Sequence, residues 1–112
     1  MPKNMSFMIT TEQIKNRTKT VTRRLGWNFL KPGEVVNACE KCRGLKAGQK
    51  VNKLCQIHII SVKKELLNKI TKRECVLEGF PDMNPEDFIS MFCDLNNCKP
   101  TETVNRIEFE YV

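Results

Sequence analysis

The chain has 112 residues, of which 40% are apolar and 29% are charged, and its 19 lysines and arginines against 13 acidic residues give a net charge of +6. This length and balance predict a single globular domain over residues 1–112 and argue against wholesale disorder. No apolar run approaches the roughly 20 residues of a membrane span, and no signal peptide is evident, so we expect a cytoplasmic protein with no membrane partner. The basic charge favours an anionic partner, most commonly nucleic acid, although solubility alone explains such a charge equally well.

The first part of the chain predicts two short strands with a short helix between them. Residues 6–9 are an apolar run typical of a strand. The next residues have the pattern of a capping box, in which Thr10 begins a helix that ends near Asn16 and Gln13 reaches back to the helix start. Residues 18–25 are rich in β-branched residues, chiefly threonine, which favours a second strand.

Turn residues and alternating apolar residues define the middle of the chain. The Pro32-Gly33 pair predicts a turn before a strand over residues 35–39. A basic loop over residues 41–50 follows, and residues 51–62 form the longest predicted strand.

Two helices and a final strand complete the prediction. Thr71 and Glu74 form a second capping box for a helix to about Leu77. Asn84, followed by proline and two acidic residues, is a strong start for another helix. The residues of that helix expected to be buried are Phe88, Met91, Phe92 and Leu95. Residues 104–111 alternate as in a half-buried strand.

Strands dominate this order, and most of them are not separated by helices. The sequence therefore predicts an α+β fold with a mainly antiparallel, barrel-like sheet and short flanking helices. There is no internal repeat or linker to suggest a second domain.

Six cysteines raise the question of a metal site. Cys39-x-x-Cys42 followed by Cys93-x4-Cys98 supplies the ligand types of a four-thiolate zinc site. The second spacing is loose, and a reducing compartment keeps cysteines as thiols. We therefore expect plain thiols, with neither a metal nor another cofactor, since no phosphate-binding or dinucleotide motif is present either.

The basic strand carries the residues best suited to chemistry. Lys19 and Arg23 share one face of a strand, while Thr20, Thr22 and Arg24 share the other. An ammonium, hydroxyls and guanidinium groups suit a phosphate or a polarised carbonyl. An edge strand protected by charges is the competing explanation, and from the pattern alone it is the favoured one.

Trp27 and Phe29 follow this basic strand. Their rings, with arginine and lysine nearby, are suited to stacking a base. A tryptophan that closes one end of the barrel as part of the core is an equally good interpretation.

The run Lys19-Thr20-x-Thr22-x-Arg24 resembles the signature of the ASCH family, a branch of the PUA-like superfamily. Continued to Trp27, the run is similar to a phage and prophage subgroup. Further matching segments are residues 6–8, 31–34, 78–80 and 107–111. The resemblance covers nearly the whole chain and implies a PUA-like β-barrel.

The resemblance also implies function. ASCH domains are associated with RNA binding or modification, so we expect RNA or a modified nucleoside as the partner, with Thr20, Arg23, Arg24 and Trp27 as ligand-binding residues. A bacterial branch removes the acetyl group from N4-acetylcytidine, and its catalytic set carries over to Lys19, Thr22 and Glu78. Another member is a ribonuclease. The hydrolase branch has glycine where this chain has Arg17, and this chain also has Arg23 beside Arg24. Both departures are consistent either with a phosphate-bearing ligand in place of a free nucleoside or with a narrower pocket. Binding is the first interpretation.

If the chain is an amidohydrolase, the roles follow from charge. With Glu78 within about 4–6 Å, we expect Lys19 to stay protonated. Glu78 is then the base, Lys19 stabilises the developing oxyanion, and Thr22 attacks or positions a water.

Overall fold

The structure, a computed structural model, describes residues 2–41 and 47–112. The centre of the predicted basic loop, and with it Cys42 of the zinc alternative, lies outside the described residues. In chain order the elements are β1 (Lys3–Ser6), α1 (Thr11–Lys15), β2 (Val21–Arg24), β3 (Val35–Cys39), β4 (Lys53–Leu66), a 3-10 turn (Leu67–Lys69), α2 (Lys72–Leu77), α3 (Pro85–Asn96) and β5 (Thr103–Tyr111).

The strands form one curled, five-stranded mixed sheet in the order β1-β3-β4-β5-β2. β1 pairs parallel with β3, and the other three pairings are antiparallel. The two edge strands approach each other, because Nη2 of Arg24 in β2 donates to the backbone oxygen of Ser6 in β1 at 2.6 Å. The sheet is thus a half-barrel, and the predicted α+β fold with a mainly antiparallel sheet is confirmed.

Two apolar cores are built on this sheet. The first joins the sheet to α1 and contains Met5, Phe7, Ile14, Leu30, Val36, Ala38, Ile57, Ile59, Ile107 and Phe109. The second packs α2 and α3 against the far ends of β4 and β5 and contains Leu67, Ile70, Cys75, Phe88, Phe92 and Val104. Burial of such apolar side chains is the main force that holds helices on a sheet of this size.

The first strand lies three residues earlier than the sequence predicts. β1 ends at Ser6, and the fully buried side chain of Met5 anchors it in the first core. Met8 and Ile9, the apolar centre of the predicted strand, are 59% and 48% exposed in a turn. The prediction over residues 6–9 is wrong because the backbone partner of β1, the parallel strand β3, is not visible in a local pattern.

Helix α1 begins where predicted, but its predicted capping box is wrong. The Thr10 side chain makes no capping hydrogen bond. The hydroxyl of Thr11 instead donates to the backbone oxygens of Phe7 and Met8, at 2.9 and 3.2 Å. Gln13 reaches across the molecule, and its Nε2 donates to the backbone oxygen of Gly79 at 3.2 Å.

The other two helices start where predicted, although the Glu74 carboxylate of the predicted capping box accepts from Arg23 and Arg106. The hydroxyl of Thr71 accepts from the backbone N–H of Glu74 at 3.3 Å, and the side-chain oxygen of Asn84 accepts from that of Asp87 at 2.9 Å. Each side chain satisfies a donor that the helix leaves unpaired. In α3, however, Leu95 is 56% exposed, so its predicted burial is wrong.

β4 continues four residues beyond its predicted end. Its register with β5 shifts between Ile59 and Ser61, and pairing then continues to Leu66 opposite Thr103. The bulge re-phases the strand, and the charged residues Lys63, Lys64 and Glu65, which follow the predicted end, pair with β5. Within residues 2–41 and 47–112, no helix is both long enough and apolar enough to span a bilayer.

Candidate functional site

Lys19 and Thr22, which are neighbours in the sequence, meet the distant Glu78 at the floor of one cleft. The cleft has a volume of about 290 Å³, and its lining includes Lys19, Thr22 and Glu78. The three side chains are nearly inaccessible, at 3%, 4% and 3% exposure. These are the residues expected to be catalytic from the resemblance, and their catalytic role stays a prediction.

Backbone contacts bring the two halves of this floor together. The N–H of Thr20 donates to the backbone oxygen of Leu77 at 2.9 Å, and the oxygen of Thr20 accepts from the N–H of Phe109 at 3.0 Å. The stretch before β2 is thereby tied both to the end of α2 and to β5. Since Glu78 is the residue that caps the C-terminus of α2, its side chain is presented directly to Lys19.

Lys19 and Glu78 form a buried ion pair. Nζ of Lys19 donates to Oε1 of Glu78 at 2.6 Å and to the backbone oxygen of the same residue at 2.8 Å. Burial lowers the pKa of Lys19 from its ordinary value, and the charge and hydrogen bond of Glu78 oppose that shift. The predicted proximity of the two groups is therefore present, with the ammonium donating to the carboxylate.

Arg23 holds the other oxygen of the same carboxylate. Its Nη1 donates to Oε2 of Glu78 at 3.1 Å. Its Nη2 donates to Glu65 at 2.6 Å and to Glu74 at 2.8 Å, and the side chain is only 1% exposed. With three carboxylates on one guanidinium, Arg23 holds Glu78 in place, although it also contributes to the cleft lining.

A second arginine extends this network away from the cleft. Nε of Arg106 donates to Oε1 of Glu74 at 2.6 Å. No sequence pattern assigned Glu65, Glu74 or Arg106 to this site: the first lies near the end of a strand, the second fits a helix cap, and the third alternates outward. Nothing in the linear pattern signals their convergence. Among the described residues, the network joins three cations, Lys19, Arg23 and Arg106, to four carboxylates, Glu65, Glu74, Glu78 and Glu108.

Thr22 and Arg24 lie on the other face of β2, as the alternation of a strand requires. The hydroxyl oxygen of Thr22 accepts from Nε of Arg24 at 3.1 Å. The guanidinium of Arg24 lies 4.8 Å from the ring centroid of Phe7. Both residues line the cleft, so β2 contributes to it from both of its faces.

Apolar side chains enclose the polar floor. We define the aromatic wall as Phe80, Phe88 and Phe92, and the apolar rim as Met8, Ile9 and Leu95. The ring of Phe80 lies edge-on to that of Phe88 at 6.1 Å, and 6.0 Å from Nζ of Lys19. Phe7 belongs to the first core and Phe88 to the second, so the cleft opens at the junction of the two cores.

Thr20 and Trp27, both expected to bind ligand, are not among the residues that line this cleft. Trp27 packs against the first core, and its ring centroid lies 5.4 Å from that of Phe29. A hollow of about 280 Å³ beside Leu30 and Val36 contains none of the predicted site residues. Among the residues that the structure describes, no group of three or more potential ligands is arranged to hold a metal ion.

Glu74→Gln is expected to destabilise the protein near neutral pH but not in strong acid. The hydrogen bond from Arg106 is the largest cause that lowers the pKa of Glu74, to about 2 from an ordinary 4.5. Because the folded-state pKa is the lower one, this stabilisation is present above about pH 4.5 and is lost as the pH falls towards 2.

After allowance for solvent screening at this partly exposed side chain, the loss at pH 7 should be about 1–2 kcal/mol. Urea unfolding of both proteins at pH 7 and pH 2.5 measures it. A difference in stability that is the same at both pH values would contradict the assignment to this carboxylate.

Two solved structures have the same fold as this chain. A crystal structure of a protein from Enterococcus faecalis V583, described as DUF984, matches with a TM-score of 0.72 over 100% of this chain and 80% of that one, at 17% identity. The crystal structure of an ASCH domain from Lactobacillus crispatus JV V101 matches with a TM-score of 0.66 over 97% of this chain and 78% of that one, at 15% identity. No family model and no curated protein matches the sequence. The chain thus has the fold of an ASCH domain, and the fold implied by the resemblance is confirmed.

Proposed function

We propose that this chain binds a modified nucleoside, free or within RNA, with its base in the cleft above Lys19, Thr22 and Glu78. The observation that supports this most strongly is the convergence of these three residues, the first and last of them 59 positions apart, beneath an aromatic wall. The expectation drawn from the ASCH resemblance, that such domains handle RNA or nucleosides, agrees with it.

The chemistry of the floor favours a base over a phosphate. A base edge presents both donors and acceptors, and the floor offers a carboxylate, an ammonium and a hydroxyl within one small volume. A phosphate would meet the carboxylate of Glu78, and the cations beside it, Lys19 and Arg23, already donate to that carboxylate. Aromatic rings at the wall are suited to the faces of a base. The protein has a net charge of +6, so its other basic residues can attract phosphates outside the cleft.

Calorimetric titration with cytidine and N4-acetylcytidine tests the proposal, using Glu78→Gln and Glu74→Gln as a matched pair. Both variants remove a carboxylate from the same network, but only Glu78 lines the cleft. We expect Glu78→Gln to weaken binding at least tenfold and Glu74→Gln to leave it within about twofold. Equal weakening in both variants, or no binding by the unaltered protein, would contradict the proposal.

Titration with a single-stranded RNA that contains the base separates the two sources of the ligand. Each phosphate contacted on RNA adds about −0.7 to the slope of log affinity against log salt. A free nucleoside leaves that slope near zero. A steep slope identifies RNA as the partner and places phosphate contacts outside the cleft.

An amidohydrolase acting on N4-acetylcytidine is the alternative, because the same three residues supply a carboxylate, an ammonium and a hydroxyl. In that reaction Glu78 takes a proton from the attacking water, the new C–O bond forms at the acetyl carbon, and Lys19 donates to the oxyanion. The C–N bond then breaks as Glu78 returns the proton to the N4 nitrogen, and acetate and cytidine leave. If Thr22 attacks instead, its oxygen carries the acetyl group until a water, deprotonated by Glu78, releases it as acetate. Both oxygens of Glu78 already accept from cations, so the carboxylate that would take the proton is shared with two donors. Binding is therefore the first proposal.

Chromatography after incubation with N4-acetylcytidine decides between binding and hydrolysis. Cytidine above the level of the protein-free control supports hydrolysis. No cytidine above that level excludes hydrolysis. The resemblance also includes a ribonuclease. Labelled RNA that stays intact under the same conditions would exclude that activity.

A further inference from the structure

The apolar rim has no role in holding the polar edge of a base. Met8, Ile9 and Leu95 are 59%, 48% and 56% exposed, and they come from two separate elements at one opening. Single exposed apolar side chains are ordinary on protein surfaces. Several of them around the mouth of a cleft that is already apolar inside are typical of a binding site.

Hydrogen bonds hold the turn that carries Met8 and Ile9. The N–H of Thr10 donates to the backbone oxygen of Phe7 at 3.1 Å. The hydroxyl of Thr11 donates to the backbone oxygens of Phe7 and Met8. Two apolar side chains are thereby held outward by a hydrogen-bonded turn, at the cost of leaving apolar area in water.

Leu95 also lines the cleft and continues the aromatic wall along α3. Phe88, Phe92 and Leu95 follow one another at helical spacing along α3, with exposures of 2%, 6% and 56%. This stripe predicted that all of them would be buried. It instead runs from the core to the rim, so the apolar surface is continuous from the floor of the cleft to solvent.

We infer that the nucleoside carries an apolar substituent on its base that lies against the rim. The inference rests on the proposed function, since it assumes that the polar edge of the base occupies the floor. An unmodified nucleoside has a polar ribose and would leave the rim in water. An apolar chain on the base covers the rim and removes its apolar area, and that of the ligand, from solvent.

A peptide or a second copy of the chain would also cover an apolar surface. The continuity of the rim with a cleft of about 290 Å³, which has charged groups at its floor, favours a single small molecule. A flat interface between proteins needs several hundred square ångströms on each partner.

Binding of N4-methyl-, N4-butyl- and N4-hexylcytidine measures the effect of the apolar chain. These compounds have no amide bond, so hydrolysis does not complicate the titration. Each methylene covered by the rim should strengthen binding about three- to fourfold. With three covered, hexyl should bind about 30- to 60-fold more tightly than methyl.

Matched variants assign that gain to the rim. The double variant Ile9→Ser, Leu95→Ser removes two rim side chains. The control variant Ile60→Ser, Leu66→Ser removes the same residue types from β4, outside the cleft lining, where the two side chains are 43% and 40% exposed. The first pair should abolish the gain from methyl to hexyl, and the second should preserve it. Because all four side chains are exposed, both proteins should fold.

The possible outcomes separate the two proposals. Methylcytidine that binds in a Glu78-dependent manner, with no gain for hexyl, would overturn the inference and keep the proposed function. Absence of binding by every compound would end both. A gain in affinity from methyl to hexyl that persists in the Ile9 and Leu95 variant would show that the alkyl substituent lies somewhere other than the rim. Dimerisation that the rim substitutions abolish, seen by sedimentation, would assign the rim to a second copy and overturn the inference.

Discussion

Replacing Glu78 with alanine is expected to lower the free energy of unfolding at pH 7 by about 3–5 kcal/mol. The ammonium of Lys19 and the guanidinium of Arg23 both donate to this carboxylate, and their side chains are 3% and 1% exposed. Removal of the carboxylate leaves a buried ammonium without its ion-pair partner. Chemical denaturation at pH 7 measures the loss.

The pH dependence of this loss follows from Lys19. Burial already lowers the pKa of Lys19, and without Glu78 the main opposing influence is gone. A lysine whose folded-state pKa lies below its unfolded value destabilises the fold most at low pH, and this penalty fades as the pH rises towards the unfolded value near 10.5. The deficit of Glu78→Ala should therefore shrink between pH 7 and pH 10.

Two control variants test whether the loss comes from the unpaired buried ammonium. Glu108→Ala removes a partly exposed partner of Arg106, at 3.5 Å, and should cost less than about 1 kcal/mol. Lys19→Met combined with Glu78→Leu removes both charges and should recover most of the stability. Arg23 keeps Glu65 and Glu74 in that double variant. A single-variant loss below about 1 kcal/mol would show that solvent reaches the pair.

Gly79→Ala is the second substitution with a large expected effect, about 3 kcal/mol of destabilisation. Gly79 has φ +98°, which strains any residue with a side chain. An added Cβ would also lie 2.8 Å from Cγ and 3.0 Å from Cβ of Gln13. Those atoms sit near the α1 backbone, so they have little freedom to move away. Since Gly79 follows Glu78 directly, the shift should also weaken nucleoside binding.

Gly33→Ala separates strain from collision. Gly33 has a similar φ of +94°, but an added Cβ would meet nothing within 4 Å. Urea unfolding should give a loss of about 1–2 kcal/mol for Gly33→Ala and a distinctly larger loss for Gly79→Ala. Equal losses would mean that Gln13 makes room for the methyl group.

The parts of the fold that depend on neighbours in the sequence were predictable. Thr71 and Asn84 start helices because each side chain satisfies a backbone donor three residues later. β1 was placed wrongly because its partner is a parallel strand more than 30 residues away. Local apolarity at Met8 and Ile9 is a stronger signal than the single buried side chain of Met5, although only the latter reflects the strand.

The candidate site was predicted from the resemblance to a family motif and not from the periodicity of the sequence. Lys19 and Glu78 are 59 residues apart, and their proximity was expected only through a resemblance. Glu65, Glu74 and Arg106 carry no such signal, because a charged residue at a strand end, in a first helical turn or on an alternating strand is ordinarily solvated. Long-range ion pairs depend on tertiary packing, which single-chain patterns do not encode.

The contact between Arg24 and Ser6 has a consequence for how the cleft is entered. A guanidinium, rather than a ladder of backbone bonds, spans the seam between the first and second strands. We expect a molecule to be admitted by rotation of side chains, which is far faster than separation of paired strands. Amide hydrogen exchange in β3 to β5 should then be unchanged by occupancy. Faster exchange there on loading would indicate that the sheet itself has to open.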